Sequence, residues 1–205
     1  MKAEYFKKEI LQIEDEVLRK LTIAYLEVGV PEYFWEIPAS LSGLYHPIQD
    51  HGPQGLLRHT RMCMTIAIDL LNLDMYQSLA QYKDEILIAL LIHDSWKCGV
   101  SKRFVKRSGM EEWCTIHAHP KIAAQKFSDF VSQFKDIDEV TIEKCKEICK
   151  CAETHMGQWT TSKYEPEVVL RKPQTPKEKF VHMCDYLSSR GWIGDLTRCD
   201  AQNMS

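Results

Sequence analysis

No apolar stretch in this 205-residue chain approaches the roughly 20 residues needed to span a bilayer. There is no long basic block, and the net charge is −3. That excludes the broad electrostatic footprint of a duplex-DNA binder but leaves room for a small anionic ligand neutralised locally. No internal repeat, low-complexity tract or strand-period alternation interrupts the chain. The first residues, Met1 to Lys8, run into a charged amphipathic pattern in place of a signal-peptide apolar segment, so a cytoplasmic location is expected. Zinc-knuckle spacing is also missing. Cys145, Cys149 and Cys151 cluster without a second pair, and Cys63, Cys98, Cys114, Cys184 and Cys199 are scattered. Reduced thiols serving as small core hydrophobes are the expected role for all eight.

Helical periodicity is present nearly throughout. Phe6, Ile10, Ile13, Val17, Leu21 and Ala24 predict one helix from Glu4 to Val28, ended by Gly29 and Pro31. A second is expected from Leu56 to Leu71, with Met62, Ile66 and Leu70 on one side. The apolar run Ile86 to Ile92 predicts a buried helix, with Asp84 as its cap. Pro120 suits a first helical turn and puts His119 at its start. Val140 to Thr154 is expected to turn Ile142, Cys145, Ile148, Cys149 and Ala152 inward, with Gly157 as the stop and His155 at the carboxyl end. Thr175-Pro176-Lys177-Glu178 reads as a capping box opening a helix that carries Val181, Cys184, Asp185 and Ser188 on one face. Irregular segments are expected at 31–55, 95–115 and 158–175, the last two with room for a short hairpin. The expected fold is an all-α, single-domain bundle: residues 1–30 form an amphipathic helix within the domain, 31–195 its main body and 196–205 a frayed tail.

His93 and Asp94 stand at the end of the most apolar run in the chain. A buried unpaired carboxylate is heavily penalised, and a bound cation that takes carboxylate oxygen and neutral imidazole as ligands removes the penalty. Further candidates are His59, His119, His155 and Asp185. Such N and O donors suit manganese, iron, cobalt, nickel, zinc or magnesium. Being dispersed over five elements, they require a bundle interior to bring them together. Singly, each has an ordinary alternative: a partly buried histidine, a helix cap, a residue at a helix dipole, an ion pair of Asp185 with Arg190.

The order His59, His93-Asp94, His119, His155, Asp185 resembles the HD-domain metal-dependent phosphohydrolase superfamily. Gly55-Leu56-Leu57-Arg58-His59-Thr60 is similar to its first-histidine segment, His93-Asp94-Ser95-Trp96-Lys97 to its doublet with a following lysine, and Asp185-Tyr186-Leu187-Ser188-Ser189-Arg190 to its terminal aspartate segment. The resemblance covers about Pro38 to Arg190. It implies a helical fold in which His59, His93, Asp94 and Asp185 hold one divalent ion, while His119 and His155 add a second that Asp94 bridges to the first. The six-ligand layout is similar to that of the bacterial diadenosine tetraphosphate hydrolases. It departs from the cyclic-dinucleotide phosphodiesterases, whose paired histidines are replaced here by His155-Met156 and whose Gly-Tyr-Pro signature is missing.

The implied reaction is metal-assisted hydrolysis of a phosphate ester or anhydride, with Asp94 and Lys97 as the catalytic pair. Lys97, Arg190 and His46 are the candidate substrate contacts. His46 reads equally as a loop residue or as a cleft residue, and Leu44 stands where relatives often carry lysine. His117 is the rival of His119, which the His-Pro dipeptide favours; His51 and His182 are read as structural. Trp159 reads as core packing or as a base-stacking residue, the first being favoured. A small phosphorylated substrate, a nucleotide above all, is expected, with no membrane and no duplex nucleic acid as partner. A 3′-5′ exonuclease on single strands and a non-catalytic metal or nucleotide sensor remain alternatives.

Overall fold

The computed structural model describes residues 2–40 and 46–190. The predicted tail and Leu44 lie outside the described residues. Among the described residues, eight α-helices are arranged in chain order: α1 (Lys7–Ile10), α2 (Glu16–Ala24), α3 (Gly55–Leu71), α4 (Gln77–Ala80), α5 (Lys83–Ile92), α6 (His119–Val131), α7 (Glu139–Glu153) and α8 (Pro176–Ser188). The all-α expectation holds. One antiparallel hairpin, β1 (Arg103–Val105) with β2 (Met110–Glu112), pairs Arg103 with Glu112 inside the second irregular segment. The third such segment holds no strand among the described residues.

Helix α5 is the axis of the bundle. Every side chain from Ile86 to Ile92 is fully buried, as a helix that is apolar all round requires. It packs against α3, α7, α8 and α6, while α6 lies on α7 and α3 on α8. Burial of each Ile or Leu on such a helix contributes about 1.5–3 kcal/mol, enough to hold its polar end in place. That end is His93, the carboxyl cap, followed by Asp94 in the next turn. Among the described residues no helix is long and apolar enough to cross a membrane.

Three expectations need correction. The helix predicted over Glu4 to Val28 is broken: a 3-10 turn (Lys2–Phe6) leads into α1, the chain turns at Leu11 and Gln12, and Asp15 caps α2 through the Val17 and Leu18 N–H groups at 3.0 and 3.1 Å. The break shifts the helical phase by one residue, so Leu18 is buried in place of Val17, which is 44% exposed. A π-type turn, Tyr25–Gly29, completes the segment. Second, Asp84 does not cap α5. Its carboxylate accepts instead from the Glu14 and Asp15 N–H groups, satisfying donors that the break leaves open. Third, Ile142 of α7 faces outward. The inward stripe runs through Thr141, Cys145, Ile148 and Ala152, whose spacing of four, three and four is the cleaner helical face.

The last helix follows its sequence closely. Thr175 Oγ1 accepts from the Glu178 N–H at 3.2 Å, and the Glu178 carboxylate accepts from the Thr175 N–H at 3.1 Å, completing the capping box. Val181, Cys184 and Ser188 are buried, which turns Asp185 toward the end of α5.

Candidate metal centre

Five elements deliver the polar cluster. His59 sits on α3, His93 and Asp94 at the end of α5, His119 at the first position of α6, His155 just past α7 and Asp185 on α8. His59, His93, Asp94, His119 and His155 are almost completely buried. The structure brings all six predicted positions together. His59 Nε2 lies 3.1 Å from Asp185 Oδ1 and 3.3 Å from His93 Nε2. His119 Nε2 lies 3.2 Å from His155 Nε2 and 3.1 Å from Asp94 Oδ1.

The hydrogen bonds on the far side of each ring fix its tautomer. His93, His119 and His155 donate from Nδ1 to the carbonyls of Leu90, Ile116 and Ala152 at 2.5, 2.6 and 2.8 Å. His59 Nδ1 lies 2.9 Å from Ser188 Oγ, whose own proton goes to the Asp185 carbonyl at 2.7 Å. The Ser188 oxygen is therefore the acceptor, and His59 too is protonated on Nδ1. All four rings thus turn their Nε2 atoms inward. Lone pairs facing each other at 3.2–3.3 Å repel unless positive charge, a proton or a metal ion, lies between them.

The carboxylates supply the field for that charge. Burial alone raises the Asp94 pKa, but Lys97 and His93 outweigh it and hold the group well below the usual range. Asp185 is held down in the same way, against its burial, by His59 and His93. His93 is held up despite its burial by Asp94 and Asp185. His155 is pushed down to about 3 by burial and by His93, so it is neutral and free to ligate at pH 7. Asp94 Oδ1 is buried with no hydrogen-bond partner, an orphaned charge facing the histidines. Imidazoles whose Nδ1–H groups are bound to carbonyls or a hydroxyl and whose Nε2 atoms face ionised carboxylates form the donor set of a divalent cation site. The residues fit the group.

The remaining candidates divide. Lys97 is buried, and its ammonium contacts Asp94 Oδ2. His46 stands edge-on to His59 with ring centroids 4.5 Å apart, and burial pushes its pKa down to about 2. Arg190 forms no ion pair with Asp185 among the described residues; its guanidinium lies over the Tyr186 ring. His117 is not part of the cluster: its N–H donates to Glu165 while its ring Nε2 is buried without a partner. His51 bonds the His46 carbonyl and His182 the His155 carbonyl. Trp159 is not core but 42% exposed, because Tyr186 and His182 cover only part of it.

Two neighbours that the sequence places only as helix-face and core residues have a role at the site. Ser188 follows Asp185 by three residues and sets the His59 tautomer, a spacing that places both on one helix face. Cys63, one turn after His59, lies 3.1 Å from Ser188 Oγ and 3.6 Å from His59 Nε2. Its thiol is pushed well up by burial, so it acts as a neutral donor to Ser188. The described cysteines are free.

Comparison with known proteins gives one family. The family model of the HD domain matches residues 56–190, which takes in α3 through α8 and all six clustered positions. No curated protein and no solved structure matches the chain. HD domains bind divalent metal ions, and the buried His/Asp cluster described above occupies the matched span. The chain is a member of the HD-domain superfamily of metal-dependent phosphohydrolases.

Proposed function

We propose that this protein hydrolyses a phosphate ester or anhydride of a nucleotide or dinucleoside polyphosphate, using two divalent ions. His59, His93, Asp94 and Asp185 would hold the first, and Asp94, His119 and His155 the second. The supporting observation is the placement of the Asp94 carboxylate. Oδ2 faces His93 and His59 at 3.6 and 3.8 Å, while Oδ1 faces His119 and His155 at 3.1 and 3.7 Å. One carboxylate thus addresses both histidine pairs.

When bound, such ions lower the pKa of water from about 15.7 to near 7 and draw charge from phosphoryl oxygens. The chain's own groups do the rest. Asp94 stands between the two pairs, one carboxylate oxygen toward each. Lys97 fixes Asp94 through Oδ2 and brings a positive charge to the place where phosphate oxygens arrive. His46 closes one wall against His59, and Arg190 supplies a second cation beyond Asp185. The ligand order, similar to that of the dinucleoside polyphosphate hydrolases, supports a nucleotide as substrate.

The experiment is to purify the protein without chelator, count metal per chain, and assay nucleotides, dinucleoside polyphosphates and a short labelled RNA with manganese. Turnover of a nucleotide that is lost on chelation and in Asp94→Asn is expected. Mononucleotides released from RNA, with free nucleotides untouched, would instead indicate an exonuclease. Tight nucleotide binding without turnover of anything would indicate a sensor.

A further inference from the structure

An aromatic ladder runs from α8 to the loop after α7, on residues that adjoin the cluster positions in sequence. The Arg190 guanidinium lies 4.1 Å from the Tyr186 ring centroid. Tyr186 stacks on Trp159 at 5.7 Å with 22° between planes, and His182 meets the Trp159 indole edge-on at 5.8 Å. Both sides of the ladder are tied to cluster residues. Tyr186 follows Asp185, and Trp159 comes four residues after His155, whose carbonyl accepts from His182 Nδ1 at 2.7 Å. Gly157 has no side chain to collide with the His182 ring, so the loop lies flat against α8.

Stability alone does not account for this arrangement. Trp159 is 42% and Tyr186 37% exposed, so much of their apolar area gains nothing from burial. Arg190 Nε is buried without a hydrogen-bond partner, leaving a donor unsatisfied at the same place. A half-exposed indole in a stack that ends in a guanidinium is the chemistry that recognises a flat ring attached to an anion.

We infer that Trp159, backed by Tyr186 and the Arg190 guanidinium stacked behind it, forms a base-stacking platform that selects nucleoside phosphates over sugar phosphates. This deepens the phosphohydrolase reading by assigning the nucleoside half of its substrate. The ladder binds the base, and the metal cluster binds the phosphate.

The test is calorimetric titration of the manganese-loaded full chain with adenosine monophosphate, adenosine and ribose phosphate. Stacking of one base is expected to make adenosine monophosphate bind about tenfold tighter than ribose phosphate. Trp159→Leu retains apolar bulk but no π-face; it is expected to lose that tenfold while leaving ribose phosphate unchanged. Trp159→Phe is expected to keep most of the preference, which guards against a mere folding defect. Equal affinities for the two phosphates, or a preference that survives Trp159→Leu, overturns the platform. Ribose phosphate binding that does not respond to removal of manganese counts against the metal-phosphate reading instead, and leaves the adenosine comparison to decide the platform.

Discussion

Ser188 and His59 come from helices 129 residues apart in sequence, yet the Ser188 hydroxyl settles which nitrogen of His59 is bare. Its proton is spent on the Asp185 carbonyl, so it accepts from His59 Nδ1 and leaves Nε2 facing His93 and Asp185. Partners of this kind orient a ligand without touching the metal.

Ser188→Ala removes that acceptor while keeping a small buried side chain. Manganese affinity, measured by titration of the chelated protein, is expected to fall about 10–100-fold with the helices intact by circular dichroism. An unchanged affinity would show that the His59 tautomer is set by something else.

His119 and His155 face one another and Asp94 Oδ1, apart from the His59 and His93 pair. Replacing both with alanine is expected to reduce bound metal from two ions per chain to one, by elemental analysis of protein purified without chelator. Retention of the parent's metal content would remove these two residues from the ligand set.

Glu178 predicts a pH effect away from the cluster. Its burial raises the pKa, but Arg171 and the N–H groups of Gln174 and Thr175 outweigh it and hold the group below its ordinary value of 4.5. A carboxyl depressed in the folded state stabilises the protein above the unfolded value and ceases to do so as pH falls through the folded one. Glu178→Gln is therefore expected to cost about 1–3 kcal/mol at pH 7, and less below about pH 4. Thermal unfolding of both proteins at the two pH values reads the difference. A gap of equal size in acid would assign the effect to shape instead of charge.

Gly157 sits at φ +62°, and a Cβ there would lie 2.2 Å from the His182 ring. Gly157→Ala is expected to lower stability by about 1–3 kcal/mol. Because His155 is two residues away, occupancy of the second ion is expected to fall with it. The unfolding midpoint and metal content of the variant check both effects.

Much of this is legible in the sequence. The stretch around α5 is unambiguous because a helix with no polar face has nowhere to go but the centre. The α8 capping box is equally local, with Thr175 and Glu178 satisfying each other's backbone. Failures came where a distant group intervened. Asp84 reads as the cap of its own helix but serves the N–H groups of Glu14 and Asp15, remote from it in sequence. Trp159 looked like core because large aromatics usually are, and only its neighbours Tyr186 and His182 leave it half outside.

Sequence alone determined the helical class, the identity of the polar groups and their order along the chain, because apolar periodicity and residue chemistry are local properties. Tertiary structure decided which Nε2 faces which, that Asp94 addresses both histidine pairs, and that Ser188 and Cys63 stand behind His59. Those relations arise where five elements converge, and contacts between groups from different helices, tens to more than a hundred residues apart, leave no periodic trace in the order of amino acids.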